Sequence, residues 1–518
     1  MTGKANSTSS RTKSMLCTLP APRRSRRLGS NPNSETPDTL CTGLNSQPPR
    51  EGEMTNGIRV SVVAPVYNAG PFLDAFVNSF LIQTLPAESI ELIAVNDGST
   101  DDSAAILDDF AREHQNVRVI HQENSGWPGK PRNVGLAAAQ GDYVFFADPD
   151  DEFGGPEALK RLVDFADEHA SDVVVPKMVP RGGRLYAQWR YETTQIDADL
   201  VTCFTTLTPQ KLFRREFLVD QDIRFPEEKV RLEDGQFLSL AYLKANRVSI
   251  LGGYDFYLIV HHDEQDHLSA KAVDPANYIG SVAVISENAE KNCADSDTCD
   301  RIINEVYSRK VLSSFTDSRL LRYSMSRRIQ WLESQRKFVE RFITPERYGK
   351  MNSITQARTD LVRNGNLDEI VKYARVEQAD FSITSASSKR GVVELRGSLS
   401  RLSSNGQVPQ LDIVERGNNT NVATLPIDLV ERDAVIRVPK EALPLSESTR
   451  RYDLWLNFGA NHKNRRVQGP SGGYSQQLTD SRTVEIYTTK PGNLSIAVSK
   501  GMRRRDRAER KVKRILGR

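Results

Sequence analysis

The N-terminal half of the chain alternates short apolar runs with segments of helical spacing. Four apolar runs predict buried strands, and apolar residues recur at helical spacing between them. Successive strand starts lie about 26 to 30 residues apart, which is typical of strand–helix–strand units in a parallel sheet. The pattern therefore predicts an α/β fold with a Rossmann-like, largely parallel sheet. The predicted strands are Val60–Val66, Ile90–Val95, Val117–Ile120 and Tyr143–Ala147, and the predicted helices are Phe72–Ile82, 99–112 and 131–139.

The hydrophobic pattern changes twice in the C-terminal half. Residues 275–372 carry many charges and few β-branched runs, and three of their segments have helical spacing, which predicts a helical linker. Residues 375–498 contain seven short strand-like runs separated by turn residues, which predicts a β-sandwich. The helical segments are Arg301–Tyr307, Leu320–Trp331 and Lys337–Ile343, and the strands are Phe381–Thr384, Val392–Leu399, Leu411–Val414, Ala423–Ile427, Ala434–Val438, Tyr452–Phe458 and Val484–Tyr487.

The two ends of the chain are basic, whereas the part between them is acidic. The net charge is +3, yet residues 500–518 carry ten Lys/Arg against two Asp/Glu. Residues 1–57 are rich in Ser, Thr, Pro, Asn and Arg, which predicts disorder with some transit-peptide character. An acidic body argues against a nucleic-acid-binding core. If the tail is helical, its short apolar face among basic residues suits an anionic membrane surface; a solvated, disordered tail is the alternative.

These patterns predict five segments and exclude some classes of protein. No apolar run reaches about 18 residues, so a membrane span is not expected. The five cysteines include no Cys-x-x-Cys pair, which suits free thiols in a reducing cytosol, with a Cys293–Cys299 disulfide as the alternative. The predicted segments are a disordered extension (1–57), an α/β domain (58–270), a helical linker (271–374), a β-sandwich (375–498) and a basic tail (499–518).

A run of acidic residues directly follows the fourth predicted strand. Asp148, Asp150, Asp151 and Glu152 would lie at the C-terminal edge of the sheet, where open α/β sheets bind ligands. Like charges this close repel unless a cation offsets them, and a hard divalent cation takes oxygen ligands. The run therefore predicts a metal–nucleotide site. A solvated acidic turn or a helix N-cap is the alternative.

The first strand ends in residues that could contact a nucleobase. Pro65 lacks a backbone donor and is predicted to end regular strand pairing. Tyr67 and Asn68 then follow at the ligand edge, where an aromatic ring can pack on a base and an amide can hydrogen-bond. A plain strand-to-helix turn explains the same residues.

The second and third strands end in an acidic and a basic loop, respectively. Asp97 is placed to accept a hydrogen bond from a base N–H or a ribose hydroxyl, while Ser99–Asp101 are predicted to cap the next helix. The third loop carries two glycines, and Lys130 and Arg132 bring positive charge to a helix start, which suits a diphosphate. Three loops thus offer base, ribose and phosphate contacts, and the fourth offers metal ligands.

Taken together, residues 58–235 resemble the family-2 inverting glycosyltransferases with a GT-A fold. No Gly-x-Gly-x-x-Gly motif is present, which argues against a dinucleotide enzyme. The resemblance implies a nucleotide-diphosphate sugar donor, most often a UDP-sugar, and Mn²⁺ or Mg²⁺ at Asp148 and Asp150. Asp151 and Glu152 are then expected to begin the next segment. The matching segments are Pro65-Val66-Tyr67-Asn68, Asn96–Asp101, Lys130–Gly135 and Asp148–Asp151. The donor-binding residues implied are Pro65, Tyr67, Asn68, Asp97, Lys130, Arg132, Asn133 and Asp148.

The same resemblance implies the residues of the chemical step. Asp234 matches the general base that deprotonates the acceptor hydroxyl, and Glu233 would position the acceptor or the base. In the loop 261–269, His262 stands where such transferases more often carry an arginine facing the donor diphosphate. Zinc binding by this His-rich loop fits no strong ligand spacing, and a polar surface loop is the alternative.

The order of the segments resembles the bacterial wall teichoic acid glycosyltransferases, which decorate poly(alditol phosphate). The resemblance implies transfer of GlcNAc or a hexose, with inversion, by a cytoplasmic enzyme peripheral to the inner face of the plasma membrane. The sandwich would bind polymer or mediate homo-oligomer formation. Two alternatives remain, a capsule or lipid-linked oligosaccharide transferase and a non-catalytic glycan-binding scaffold. The intact acidic sets around Asp148 and Asp234 argue against the scaffold.

Overall fold

The computed structural model divides the chain into two units, 1–55 and 56–518, and the first lies outside the described residues. The basic tail beyond residue 500 lies outside them as well. The predicted disorder of the extension and the membrane binding of the tail therefore stay predictions. The described residues are 57–182, 188–262, 273–313, 318–389, 392–400, 408–430, 433–444, 448–460, 462, 464–470, 474–479 and 482–500.

Ten strands in the N-terminal part form one large and one small sheet. They are β1 Val60–Val66, β2 Ile90–Asp97, β3 Val117–Gln122, β4 Tyr143–Phe146, β5 Glu152–Phe153, β6 Val173–Pro176, β7 Met178–Arg181, β8 Leu212–Arg214, β9 Val248–Leu251 and β10 Tyr257–Val260. The large sheet has the order β3-β2-β1-β4-β8-β6-β9, in which only β8 runs antiparallel to its neighbours. The small sheet has the order β5-β10-β7. The predicted α/β fold is confirmed, and all four predicted strands are present.

Helices cover both faces of the large sheet. One face packs Phe145 against Phe76 and Leu162, whereas the other packs Phe146 against Phe237. Both faces are buried, which is why the strands are continuous apolar runs rather than alternating ones. The helices are α1 Gly70–Leu81, α2 Ser103–Glu113, α3 Gly129–Ala138, α4 Ala158–His169, α5 Leu200–Cys203, α6 Arg215–Asp220 and α7 Glu233–Lys244.

The prediction that Pro65 ends regular pairing is wrong for one side of its strand. β1 stays paired with β2 through Pro65 and Val66. On its other side, pairing with β4 ends at Val63. A proline lacks one donor only, and in a parallel ladder successive residues direct their N–H groups to opposite neighbours. Pairing with β2 therefore continues past the ring.

The linker is helical and shares a hydrophobic core with the sheet. Trp331 and Phe338 belong to the same cluster of buried residues as Phe146 and Phe237. The prediction of one continuous helix over Leu320–Trp331 is wrong, because the helix is interrupted at Ser324. The Ser324 Oγ accepts a hydrogen bond from Arg327 N–H at 3.3 Å and caps a new helix. The helices are α8 Pro275–Asn292, α9 Ser296–Val306, Ser318–Arg322, Met325–Phe342, Pro345–Gly349, Ser353–Asn364 and Leu367–Glu377, with a π-helix at Tyr307–Val311.

The structure also bears on the predictions about disulfides and membrane spans. Cys203, Cys293 and Cys299 are free thiols in the structure, so the alternative Cys293–Cys299 disulfide is not formed. Within the described part of the chain, no helix combines the length and the apolar composition that crossing a bilayer requires.

The C-terminal part forms two antiparallel sheets around a core of its own. One has the order β11-β12-β16-β15, and the other β14-β13-β17-β21-β20-β19, with β18 paired to β17. Leu395 and Ile436 of the first sheet face Leu454 and Ile496 of the second in this core. The strands are β11 Asp380–Lys389, β12 Val392–Ser400, β13 Gln410–Glu415, β14 Thr420–Leu425, β15 Ile427–Val430, β16 Asp433–Pro439, β17 Arg450–Asn457, β18 Arg465–Arg466, β19 Ser475–Thr479, β20 Arg482–Thr488 and β21 Leu494–Lys500.

The sandwich is confirmed, but the prediction of seven strands is incomplete. The predicted strand Ala423–Ile427 spans two strands, β14 and β15, and the prediction missed β18, β19 and β21. β19 is mostly polar and lies at the edge of its sheet. It is stabilised by backbone pairing with β20 and not by an apolar face, so the hydrophobic pattern does not reveal it.

Gly135 in α3 allows this helix to pack closely against β1. A Cβ atom at this position would lie 2.3 Å from Val63 Cγ1 in the sheet. Gly135→Ala should therefore lower the free energy of unfolding by about 1–3 kcal/mol through overpacking. Gly280→Ala is the matched control, because Gly280 is helical with nothing within 4 Å of its Cβ position. That change should stabilise by roughly 0.5–1 kcal/mol. Denaturant unfolding measures both, and equal effects would contradict the packing argument.

Candidate active site

The acidic run after β4 forms a compact group of carboxylates. Single oxygen atoms of Asp148, Asp150 and Asp151 all lie within 4.8 Å of one another. Burial raises the pKa of Asp151 well above its ordinary value, and the negative charges of Asp148 and Asp150 raise it further. Three hard oxygen donors with mutual repulsion suit a divalent cation. Glu152 begins β5 as predicted, but Asp151 belongs to the acidic group, which corrects its assignment to the next segment.

Two residues that the sequence reasoning missed hold Asp148 in place. Asp148 N–H donates to Tyr257 Oη at 2.9 Å, and the Tyr257 hydroxyl donates back to the Asp148 carbonyl at 3.3 Å. Gln210 Nε2 donates to Asp148 Oδ2. Burial and the charges of Asp151 and Asp148 raise the pKa of Tyr257, so this ring stays a neutral donor. No local pattern could reveal these contacts, because Tyr257 lies 109 residues further along the chain.

Arg132 connects this acidic group to a second pair of carboxylates. Its side chain is buried, with 4% of the residue exposed. Nη2 contacts Asp148 Oδ1 at 3.0 Å, while Nη1 contacts Asp234 Oδ1 at 2.6 Å and lies 3.8 Å from Glu233 Oε1. The Phe225 ring lies under the guanidinium at 5.3 Å. This position favours a connecting role, and direct contact of Arg132 with a diphosphate stays a prediction.

The predicted base has the electrostatics of a proton acceptor. Burial raises the pKa of Asp234 from 3.8 to about 8, Arg132 lowers it, and Glu233 and Asp148 raise it. Burial also raises the pKa of Glu233, against the lowering effect of Arg132. A carboxyl with a pKa near neutral is a stronger base than an ordinary one. Asp234 keeps 24% of its side chain exposed, so a hydroxyl can reach it.

The backbone just before this pair adopts a rare conformation. Leu232 has φ +58°, in the left-handed region that branched residues seldom occupy, and α7 starts at the next residue. The turn places Glu233 and Asp234 in the first turn of α7, beside Arg132. Such strained positions occur where the surrounding structure fixes a functional geometry.

The other strand-end loops place the predicted base-binding and ribose-binding residues at the same edge. Tyr67 is 52% exposed, as an aromatic platform for a nucleobase would be. Asn68 has φ +50°, and its Oδ1 accepts from Thr100 N–H at 2.8 Å, which ties the first loop to the second. Asp97 is buried and accepts from Ser125 N–H at 3.0 Å and from Ser125 Oγ at 2.8 Å. Asp97 thus shapes the third loop, and its ligand contact stays a prediction.

The remaining predicted donor-binding residues are placed differently from one another. Lys130 is exposed in the first turn of α3. Asn133 exchanges two hydrogen bonds with the backbone of Phe225, at 2.9 and 3.0 Å, so it fixes the segment that precedes the catalytic pair. His262 Nε2 lies 2.9 Å from the Asp150 carbonyl, which brings this ring to the acidic group. Residues 263–272 lie outside the described residues, and all three ligand contacts stay predictions.

Comparison with known families assigns the two N-terminal parts of the chain. Residues 61–228 match the family described as Glycosyl transferase family 2, and residues 275–374 match the Glycosyl transferase TarS linker domain. Residues 61–228 are a family-2 glycosyltransferase domain. The predicted resemblance is confirmed, and the helical segment behind the glycosyltransferase domain is a TarS-type linker.

Curated relatives of the glycosyltransferase domain and linker act on a phosphate polymer. The poly(ribitol-phosphate) beta-N-acetylglucosaminyltransferase TarS of Staphylococcus aureus is 32% identical over 62% of this chain and 54% of the relative. The poly(ribitol-phosphate) beta-glucosyltransferase of Bacillus spizizenii is 32% identical over 62% of this chain and 51% of the relative. The chain spans about half the length of the curated relatives it matches.

Solved structures agree with the fold. Residues 1–349 of S. aureus TarS in complex with UDP-GlcNAc superpose with a TM-score of 0.57 at 28% identity, covering 68% of this chain and 98% of that one. A longer S. aureus TarS structure covers 87% of this chain and 86% of that one, with a TM-score of 0.58. Its 22% identity supports the shared fold alone.

Removing the buried cation tests whether Arg132 holds the two acidic sets together. Arg132→Met should destabilise the protein by about 3–5 kcal/mol, because buried carboxylates lose their partner. In the folded protein the pKa of Asp234 already exceeds its ordinary value, so folding binds a proton and stability falls as pH rises between 3.8 and about 8. Removing the Arg132 guanidinium raises this pKa further. The variant should therefore lose more unfolding free energy at pH 8.5 than at pH 5.5.

Denaturant unfolding at both pH values measures this effect, and Arg161→Met is the control. Arg161 forms an exposed ion pair with Glu157 within α4. Its removal should cost less than about 1 kcal/mol at either pH. An Arg132 variant with the same small, pH-independent loss would contradict the connecting role.

Proposed function

We propose that the protein is an inverting, metal-dependent glycosyltransferase that moves a sugar from a UDP-sugar to a hydroxyl of a poly(alditol phosphate), such as a teichoic acid. The family-2 domain and the TarS-type linker support the reaction class. The relatives whose names specify poly(ribitol-phosphate) support the acceptor. The sugar is a hexose or GlcNAc in this proposal, since both occur among those relatives.

One observation carries the proposal: a single buried guanidinium contacts both the acidic group and the predicted base. Arg132 holds Asp148 at 3.0 Å and Asp234 at 2.6 Å. An inverting transfer needs a leaving-group site and a base on opposite sides of one anomeric carbon. Asp148 serves the leaving-group side and Asp234 the acceptor side, so Arg132 sets the distance between them.

In the proposed mechanism, Asp234 takes the proton of the acceptor hydroxyl. The deprotonated oxygen attacks the anomeric carbon in one in-line displacement, and the bond to the diphosphate oxygen breaks with inversion. Glu233, whose pKa is raised by burial, positions the acceptor or the base. Tyr67 and Asp97 bind the nucleoside, and Lys130 and His262 face the diphosphate.

The acidic group fits a divalent cation by its donor chemistry. Asp148, Asp150 and Asp151 present oxygen ligands within 4.8 Å, and the surplus negative charge there needs an opposite charge. Mn²⁺ or Mg²⁺, when bound, would neutralise the departing diphosphate. The protein positions these ligands through the Tyr257 hydroxyl and the Gln210 amide.

The proposal includes a cellular setting and an assembly. We place the enzyme in the cytoplasm, at the inner face of the plasma membrane. The basic segment 500–518 would attract anionic lipids. The sandwich would bind polymer or join copies of the chain.

Asp234→Asn tests the assignment of the base. The amide cannot accept the proton, so kcat/KM should fall by roughly 10²–10⁴-fold while UDP affinity stays near the wild-type value. Activity of the wild type should rise with pH towards about 8, since the ionised carboxyl is the active form and its pKa is raised. A UDP-release assay across pH 5.5–9 measures both.

The matched control is Asp74→Asn, an exposed aspartate on α1. This variant should keep both the rate and the pH profile. Wild-type turnover by the Asp234 variant, or an activity that falls from pH 6 to 8, would refute the assignment.

Metal removal tests the role of the acidic group. Excess EDTA should abolish transfer, and Mn²⁺ or Mg²⁺ in excess over the chelator should restore it, because three carboxylates form the cation site. Asp150→Asn should weaken Mn²⁺ binding by calorimetry and raise the cation concentration that gives half-maximal activity. Undiminished transfer in EDTA after extensive dialysis would contradict metal dependence.

A further inference from the structure

A segment just before the catalytic pair lies directly across the loop that follows β3. Asn133 bonds the backbone of Phe225 at one end of this segment. A Cβ atom at Gly129 would lie 2.0 Å from the Pro226 carbonyl, and one at Gly126 would lie 2.6 Å from Lys229 Nζ. The backbone contact therefore requires glycine at Gly129, whereas Gly126 is favoured by its φ of +75°, and the flexible end of Lys229 lies against the loop backbone there.

Two cations of this segment lie at the loop that carries Trp127. Lys229 lies beside Gly126, the residue before Trp127, and the Arg231 guanidinium lies 5.9 Å from the centre of the Trp127 ring. Asn277 of α8 accepts from Arg231 N–H at 2.8 Å and donates to the Lys229 carbonyl at 3.2 Å. The linker thus fixes the backbone of both basic residues. This distinguishes them from a surface lysine whose backbone has no such contacts.

This basic pair lies on the acceptor side of the catalytic centre. Burial raises the pKa of the Glu233 carboxylate, and Trp127 is near enough to lower it. Arg231 precedes Asp234 by three residues, and the strained Leu232 lies between them. The acidic group that suits the donor metal contacts the opposite end of Arg132. An anion held at Trp127 would therefore approach the predicted base and not the leaving group.

Two glutamates directly precede Lys229 in the sequence, and the directions of their carboxylates decide whether they pair with it. Glu227 accepts from Asn133 Nδ2 at 3.0 Å, so its carboxylate is directed to α3. Glu228 is exposed and adjoins Lys229. Among the described residues, no carboxylate is paired with Lys229, which leaves its ammonium available to an external anion.

We propose that Lys229 and Arg231, held around Trp127, bind phosphate groups of the acceptor polymer and present the neighbouring hydroxyl to Asp234. The inference rests on the proposed function, because it names the feature of the acceptor that the same site recognises. Guanidinium and ammonium groups are the usual partners of phosphate oxygens. A repeating polyol phosphate offers an anion at each repeat, so neighbouring phosphates can contact the two cations at once.

The test uses a synthetic ribitol-phosphate oligomer as the probe. Its binding to the full chain is measured by Trp fluorescence without donor at several salt concentrations, and its KM is measured with UDP-sugar. The double variant K229A/R231A should weaken oligomer binding about tenfold or more. The slope of log affinity against log salt should fall by about one for each cation removed. UDP affinity reports whether the variant is folded.

Three controls separate phosphate recognition from other effects. K372A removes an exposed lysine of the linker helix Leu367–Glu377 and should change nothing. E228Q removes the neighbouring negative charge and should keep or tighten binding. The charge-retaining double variant K229R/R231K should recover most of the oligomer affinity that K229A/R231A loses.

The outcomes distinguish this inference from the proposed function. Wild-type oligomer affinity and salt slope in K229A/R231A would overturn the inference, and so would absence of oligomer binding by the wild type. An equal loss of affinity for neutral ribitol would also overturn it, because phosphate would then not be the group recognised. A wild type that binds the oligomer through these residues but transfers no sugar would refute the proposed function alone.

Discussion

One buried cation placed among five carboxylates is the interaction on which the rest of the catalytic region depends. Arg132 contacts the acidic group through Asp148 and the predicted base through Asp234. Without it, two acidic sets would face each other at low dielectric, where like charges repel strongly. Burial raises the pKa of Asp151 and Asp234, and the neighbouring negative charges raise both further, against the lowering effect of Arg132 on Asp234. The same burial and charge thus suit both the predicted cation site and the predicted base.

The fold serves to keep that guanidinium where it is. Arg132 lies in the first turn of α3, which packs closely on β1 because Gly135 has no side chain. Phe225 lies under the guanidinium and stacks on Phe237 of α7, the helix that carries Asp234, with ring centres 3.9 Å apart. Aromatic packing and ion pairing therefore join α3 and α7 at the same point. A change in either helix would alter the distance between base and leaving-group site.

The linker helices contribute to the active site as well as to the core. They share a buried cluster with one face of the sheet, and Asn277 of α8 fixes the backbone of Lys229 and Arg231. A helix outside the sheet of the family-2 domain therefore fixes the backbone on the predicted acceptor side. The sandwich has a core of its own.

The sequence by itself determined the α/β fold, the helical linker, the sandwich and the loops that carry the candidate chemistry, because buried strands, turn residues and charged clusters leave local patterns. It placed Asp148 and Asp150 at the end of a strand, where side chains of a parallel sheet converge, and assigned Asp234 through the family resemblance. Only the tertiary structure decided that Arg132 faces inward to those carboxylates and that Asp151, Gln210 and Tyr257 complete the acidic site. These contacts join residues up to 109 positions apart, and pairing over such distances depends on packing rather than on local periodicity.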